Sequence, residues 1–336
     1  MQSKKIVLIS PALEAANNGN WHTAHRWAMF AKSHCDIEVA QNWRSPVTGK
    51  HRDGRDTEPQ AMVALHARRS APSIHAWAKA YPNKPLAVVL TGTDLYRDIQ
   101  TDASAQQSLA LATHLVVLQE TGLESLPAAL RYKARVIYQS APALSPAVKS
   151  AKRFKAVMVG HLRSEKDPLT FMAASALPET APLYFDQIGD GLDPDLANAA
   201  RAAAASNPHY RWLGAMPRAQ TRQRIKRAHV LVNTSLMEGG AHVILEAVQS
   251  GTPVLASHIS GNIGMLGRAY SGYFDVGDAQ QLGALLMRCA ASPEFLALLQ
   301  GQCQHRASLF APLEEKRLVL NLLNEFVTYT TMKARP

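Results

Sequence analysis

The 336 residues hold only three cysteines, few aromatics and no long apolar run, and each shortage excludes something. Cys35, Cys289 and Cys303 are odd in number and share no CxxC spacing. They exclude a disulfide framework and a zinc ribbon, and read as reduced thiols of a cytoplasmic protein. A membrane span needs about 20 consecutive apolar residues, and runs such as 115–118 and 230–232 fall far short. The run 6–9 is too short for a signal peptide and soon meets Pro11 and the polar Asn17-Asn18-Gly19-Asn20. With 18% charged and 47% hydrophobic residues the balance is globular, which excludes a collagen, a coiled coil and a disordered tail.

What is present in surplus is positive charge. The formal net charge is +10, shared between the halves, so there is no separate basic tail. Such a surplus favours anionic partners. The densest cluster is Arg218, Arg222, Arg224, Lys226 and Arg227. Arg218, Arg222 and Lys226 recur every four residues and form one stripe of a helix, read here as a solvated face. No interleaved aromatics make a nucleic-acid stacking platform there.

Short apolar runs alternate with helical stretches along the whole chain. Strands are predicted over 5–10, 36–40, 61–66, 86–91, 114–119 and 135–139, mostly as continuous apolar runs. That is the pattern of strands covered on both faces of a parallel sheet. Helices are predicted between them over 21–32, 73–81, 103–112 and 122–130. The aperiodic stretch 140–150 (SAPALSPAVKS) reads as a linker. A second series has strands over 155–160, 183–188, 210–213, 229–233, 253–256 and 272–276. Its helices span 168–176, 194–205, 218–228, 242–250 and 279–290, and a last helix covers 313–328. The expectation is α/β: two doubly wound Rossmann-like domains, 1–150 and 151–312, facing a central cleft. The segment 313–336 is a C-terminal helix free to cross back to the first domain. Ligands in such sheets bind beyond the carboxyl ends of the strands.

Two patterns carry chemistry. In NTSLMEGGAHVILEAVQS (233–250) Glu238 precedes a helix and Glu246 lies inside it. Between them Gly239, Gly240 and Ala241 are almost without side chains, so their N–H groups can approach an anion. Carboxylate, phosphate cradle and carboxylate match the hydroxyls, diphosphate and ribose diol of a nucleotide sugar. In VGHLRSEKDP (159–168) Arg163 offers a planar fork and Lys166 a mobile charge to a diphosphate. The plainer readings are helix-end charges and a solvent-exposed loop.

The ordered set Gly160…Arg163…Lys166-Asp167-Pro168, Trp212-Leu213-Gly214, Glu238-x7-Glu246 and Gly251-Thr252-Pro253-Val254 resembles the GT-B glycosyltransferases of family four. The resemblance covers the second half. It implies a donor site made of Gly160, Arg163, Lys166, Leu213, Glu238, Gly239, Gly240, Ala241 and Glu246. Arg163 and Lys166 would take the diphosphate, Glu238 the sugar and Glu246 the ribose; Glu238, Arg163 and Lys166 would form the catalytic set.

The first half departs from the common family pattern. The loop after the first strand carries Asn17-Asn18-Gly19-Asn20-Trp21-His22 in place of a glycine pair. Thr91-Gly92-Thr93-Asp94 stands where the family has His-Gly-x-Asp, which removes a histidine that helps to place the donor sugar. With Leu65-His66-Ala67-Arg68-Arg69-Ser70 and Gly261-Asn262-Ile263-Gly264-Met265-Leu266-Gly267, these strings resemble the selenosugar-forming branch of the family. That branch joins selenium of selenophosphate to the anomeric carbon of a UDP-sugar, preferably UDP-N-acetylglucosamine, for selenoneine biosynthesis. Asn18, Gly19, Asn20, His22, His66, Arg68, Arg69, Thr91, Thr93 and Asp94 are the acceptor-binding candidates. A small trianion suits these cations and hydroxyls, and a selenium anion needs no general base. Against this stand a buried structural role for His66 and a helix cap for Asp94.

No HExxH motif and no Cys/His cluster points to metal, and no resident cofactor is expected beyond the UDP-sugar co-substrate. A hydroxyl acceptor, lipid or polysaccharide, is the alternative. A nucleic-acid-binding regulator leaves the two glutamates unexplained, and neither nucleic acid nor membrane is an expected partner.

Overall fold

Alternation of apolar runs with amphipathic stretches produces two parallel sheets, each wrapped by helices. The computed structural model describes residues 5–13, 19–44, 58–180 and 183–333. The chain divides into two units, Met1–Gln139 with Pro312–Pro336, and Ser140–Ala311.

The first unit runs β1 (Lys5–Ile9), α1 (Gly19–Ala31), β2 (Asp36–Ala40), β3 (Ala61–Leu65), α2 (Ala71–Ala80) and β4 (Leu86–Leu90). It continues with α3 (Ile99–Thr101), α4 (Ala103–Leu111), β5 (His114–Val117), α5 (Gly122–Ser125) and β6 (Ala134–Val136). The second unit runs β7 (Lys155–Val159), α6 (Pro168–Ser175), β8 (Tyr184–Ile188), α7 (Pro194–Ser206), β9 (Tyr210–Trp212), α8 (Arg218–Arg227) and β10 (Val230–Asn233). Then follow α9 (His242–Val248), β11 (Val254–Ser257), α10 (Ser260–Leu266), β12 (Tyr273–Phe274), α11 (Ala279–Ala291) and α12 (Pro293–Arg306). The final helix, α13 (Pro312–Lys333), returns to the first unit.

Strand order is β2-β1-β3-β4-β5-β6 in one sheet and β12-β11-β10-β7-β8-β9 in the other, and all pairings are parallel. β3, β4 and β5 are buried at every residue because helices cover both faces. Each order reverses once, between β1 and β3 and between β7 and β10. The adjacent loops there diverge to opposite faces and leave a crevice at the carboxyl ends of the strands. That topological fact locates the candidate sites.

One buried ion pair fixes the returning helix. Glu315 on α13 is fully buried and accepts from Arg26 Nε at 2.6 Å, another Arg26 nitrogen at 2.9 Å and Trp27 Nε1 at 2.9 Å. Val319, Leu322, Leu323 and Phe326 complete the apolar core on that face.

Two expectations are corrected. The stretch expected as a loop over 17–22 is already helical from Gly19, so Gly19, Asn20 and His22 belong to the first turn of α1. The helix expected over 122–130 breaks at Leu126-Pro127, because proline disfavours helical geometry in the residue before it, and continues as a 3-10 turn. Two helices outside the predicted set are α10, which carries most of the string 261–267, and α12.

Candidate active site

In the second unit the loops leaving β7 and β10 meet at the crevice. Asp167, at a left-handed φ of 43°, caps α6 and turns the chain back so that Lys166 reaches across. The Lys166 ammonium bonds Glu238 Oε1, and Thr234 Oγ1 donates to the Lys166 carbonyl at 2.8 Å. Leu236 N donates to the Glu165 carbonyl at 2.9 Å, so the two loops are laced through the main chain as well. Ser235 Oγ, at 2.6 Å, and Asn233 Nδ2, at 3.4 Å, also donate to Glu238 Oε1. Burial pushes the Glu238 carboxyl up; the Lys166 charge and these donors outweigh it, so it lies below its ordinary value and is ionised.

Glu246, the fifth residue of α9, is equally buried. Its Oε1 faces Arg218 Nε at 2.9 Å, His242 Nδ1 at 3.3 Å and Arg222 Nε at 4.0 Å. Burial raises its pKa, but His242 and Arg218 outweigh the rise and it too is held low. Both glutamates are therefore anchored through one oxygen only. The bonds at Glu238 and Glu246 all fall on Oε1, which leaves each Oε2 as a free acceptor.

Between them the N–H groups of Gly239, Gly240 and Ala241 have no main-chain acceptor among the described residues. Arg163 is exposed, with no side-chain partner among the described residues. An ammonium has three donors, so Lys166 keeps two beyond its bond to Glu238. Behind this loop Gly160, Gly189 and Gly214 close up. A Cβ on Gly189 would lie 1.9 Å from the Gly160 carbonyl oxygen, and Gly189 N donates to Gly214 O at 2.9 Å. Leu213, next to Gly214, is half-buried at the end of β9 and bonds Gln187 through its N–H at 2.8 Å.

The second unit thus brings Gly160, Arg163, Lys166, Glu238, Gly239, Gly240, Ala241 and Glu246 to the loops around one switch crevice. It also corrects the solvated-face reading of α8. Arg218 and Arg222 turn toward Glu246, and Arg222 is half-buried with an Nε that has no hydrogen-bond partner. The four-residue spacing of Arg218 and Arg222 was the available signal, but it could not say which face of α8 is covered. Burial likewise removes the readings of Glu238 and Glu246 as surface charges.

In the first unit the candidates cluster beyond β3 and β4. His66 ends β3 at a left-handed φ of 72°, which costs a non-glycine residue roughly 1–2 kcal/mol. It is buried, shares a hydrogen bond between Nε2 and Thr93 Oγ1 at 3.1 Å, and accepts from Arg69 N at 3.3 Å. Burial lowers the His66 pKa more than the nearby Asp94 and Asp98 raise it, so the ring is neutral near pH 7. Asp94 is fully buried and accepts from the N–H groups of Ala67, Thr91 and Gly92, each at 2.9 Å. It is therefore a tie between two loops, not a cap and not a free acid. Arg68 Nε bonds Asp98 at 2.7 Å and Arg97 bonds the same carboxylate at 3.2 Å. That geometry withdraws much of Arg68 from the acceptor role. Arg69 is exposed, and its guanidinium has no partner among the described residues. His22 and Asn20 lie at the start of α1; Asn18 lies outside the described residues. No contact joins them to His66 among the bonds described.

Among the described residues no group of three His, Cys, Asp or Glu side chains gathers as a metal site. No single helix there is long and apolar enough to cross a membrane.

Residues 144–298 match the family described as Glycosyl transferases group 1. The match lies wholly within the second unit. The chain is 30% identical over 140 residues to Glycosyltransferase 1 domain-containing protein 1 of Xenopus tropicalis, a stretch covering 41% of this chain and 40% of that relative. The chain thus spans about two fifths of that protein's length. Two solved structures share the fold over nearly all of this chain. Sucrose-phosphate synthase (tll1590) from Thermosynechococcus elongatus has a TM-score of 0.75 at 15% identity, covering 97% of this chain and 99% of that one. Anabaena Alr3699/HepE, solved with UDP and glucose, has 0.72 at 16%, covering 96% and 100%. The two parallel six-stranded sheets are those of the GT-B-like α/β fold.

Proposed function

We propose that this glycosyltransferase moves the sugar of a UDP-sugar, UDP-N-acetylglucosamine by preference, onto the selenium of selenophosphate. The observation that carries the donor half is the β7/β10 crevice, with two ionised glutamates flanking unpaired N–H groups and a free guanidinium. Glu246 takes the ribose diol through Oε2 and Glu238 the sugar hydroxyls. Arg163, Lys166 and the loop N–H groups neutralise the diphosphate as it leaves, and stand where a metal ion would otherwise act. HepE, which shares the fold, has been solved with UDP and glucose, in keeping with a donor of this class.

The acceptor half rests on the branch resemblance and the chemistry beyond β3. There Arg69 offers an uncommitted cation beside Thr93 and the neutral His66. The selenium lone pair attacks the anomeric carbon, the C–O bond to the diphosphate breaks, and UDP departs with the electron pair. Water then cleaves the Se–P bond, giving phosphate and a 1-selenosugar for selenoneine biosynthesis.

Mass spectrometry of products from the purified chain, UDP-N-acetylglucosamine and selenophosphate tests this directly. The expected product carries the selenium isotope pattern, at a rate unchanged by EDTA, and Arg69→Ala raises the selenophosphate KM about tenfold. Transfer only to a lipid or polysaccharide hydroxyl refutes the selenium acceptor and leaves the donor site standing.

A further inference from the structure

Glu238 is held by a buried polar network that reaches well beyond its immediate neighbours. Asn262 on α10 is fully buried, and its Nδ2 donates to Asn233 Oδ1 at 3.2 Å, Ser257 O at 2.9 Å and Ser257 Oγ at 3.1 Å. Ser257 Oγ in turn donates to Ser235 O at 2.6 Å, and Ser235 N donates to Asn233 Oδ1 at 3.2 Å. Asn233 and Ser235 are the two residues that donate to Glu238 Oε1 alongside Lys166. Asn262 therefore braces Asn233 directly and Ser235 through Ser257. Gly261 lets this happen: α10 lies so close that a Cβ there would meet Glu238 O at 1.9 Å.

The Asn262 Nδ2 is spent on this support, while its buried Oδ1 has no hydrogen-bond partner among the described residues, so the amide is costly to bury and is held by its nitrogen alone. Here three donors, Lys166, Ser235 and Asn233, converge on one carboxylate oxygen, and the Asn262 and Ser257 bonds brace two of them. The other oxygen is left unengaged, with its direction set by the first. Lys166 alone could not do this, because an ammonium is a rotatable point charge that fixes distance but not orientation.

We propose that Ser235 and Asn262 are positioning residues of the donor-sugar site, fixing Glu238 by Oε1 so that Oε2 meets the sugar hydroxyls at a set angle. The inference rests on the UDP-sugar reading above and names residues that reading does not use. Neither touches the donor; both act through Glu238.

The test compares Ser235→Ala and Asn262→Ala in the wild-type chain and in a Glu238→Ala background, with UDP-sugar turnover and UDP calorimetry as readouts. In the wild-type background kcat falls about tenfold or more while UDP affinity stays within twofold, because the Glu246 end is untouched. In Ser235→Ala the acid limb of the kcat/KM profile moves to higher pH, since a donor that holds Glu238 ionised is gone. In the Glu238→Ala background neither substitution costs further activity, the non-additivity expected of residues acting through one group. A kcat within twofold of wild type, a full second loss on the Glu238→Ala background, or UDP affinity falling in step with kcat each overturns the inference. A wild-type chain that turns over no UDP-sugar overturns the functional reading itself, and the inference with it. Ser235→Ala removes a single oxygen and carries the test alone if Asn262→Ala does not fold.

Discussion

Replacing Gly261 by alanine adds one methyl group where α10 meets the Glu238 loop. The new Cβ would lie 1.9 Å from the Glu238 carbonyl oxygen, 2.8 Å from its carbon and 2.9 Å from the Glu238 Cβ, whereas real Cβ contacts stay beyond 3.0 Å. Two of these partners are main chain and cannot rotate away, so α10 and the Glu238 loop must part by roughly 1 Å in a densely packed interior. Two stability effects oppose each other. Alanine in place of glycine favours a helix by up to about 1 kcal/mol, less here in the first turn. Overpacking of this kind costs about 1–3 kcal/mol, and it wins. A loss of that size lowers Tm by a few degrees, at about 2–4 °C per kcal/mol for a domain of this size. The larger effect is catalytic. A displacement of about 1 Å in a reacting constellation costs on the order of 100-fold in rate, and Glu238 moves with the loop. On the proposed donor site UDP is held by Arg163, Lys166 and Glu246, so UDP affinity should change little. The assay is UDP release under saturating donor, with calorimetry for UDP and a thermal melt beside it. Gly301 is the control, because it lies in α12 with open space around its Cβ position. Gly301→Ala should leave kcat unchanged and raise stability by up to about 1 kcal/mol. A Gly261→Ala protein with kcat within twofold of wild type would refute the geometric reasoning.

Three further outcomes are expected. Arg163→Ala and Lys166→Ala should each weaken UDP binding at least about tenfold by calorimetry, since each strips a charge-assisted contact from the diphosphate; unchanged affinity in both removes the donor assignment. Glu315→Ala should destabilise the first unit by about 3–5 kcal/mol, because it leaves Arg26 and the Trp27 N–H without their buried partner; urea unfolding coincident with wild type would count against that lock. Burial lowers the pKa of His66, His114, His161 and His229 below 6.5. Their folded forms resist protonation, so this contribution to stability is complete above pH 6.5 and is lost as pH falls through the lowered values. Melting temperatures should begin to drop below about pH 6.5, while Glu238 and Glu246, both held below 4.5, remain ionised; a Tm flat down to pH 5 contradicts it.

Much of the architecture was legible along the chain because a parallel strand covered on both faces is a local signal. Runs such as Leu86–Leu90 and Val230–Asn233 need only their own apolar side chains to declare themselves. Asp167-Pro168 announces α6 in the same way, through a cap and a residue that lacks an N–H. Glu238 and Glu246 stood out because glycine and alanine between two acids is an unusual composition near a helix start. What the chain could not declare was contact between distant segments. Nothing local tells Arg218 from Arg224, yet one faces Glu246 at 2.9 Å and the other faces Asp186 at 3.9 Å. Arg68 and Arg69 are adjacent, and only the fold ties Arg68 to Asp98 and leaves the Arg69 guanidinium without a partner among the described residues. Asp94 reads as a helix-start acid until β3 and β4 lie side by side and three N–H groups converge on it. Asn262 lies 24 positions from Glu238, and its bonds exist only because Gly261 lets α10 approach. The physical reason is the same in each case. Periodicity and capping act over a few residues and survive in the unfolded chain as tendencies, whereas a side chain's partner is chosen only when the sheet order is fixed.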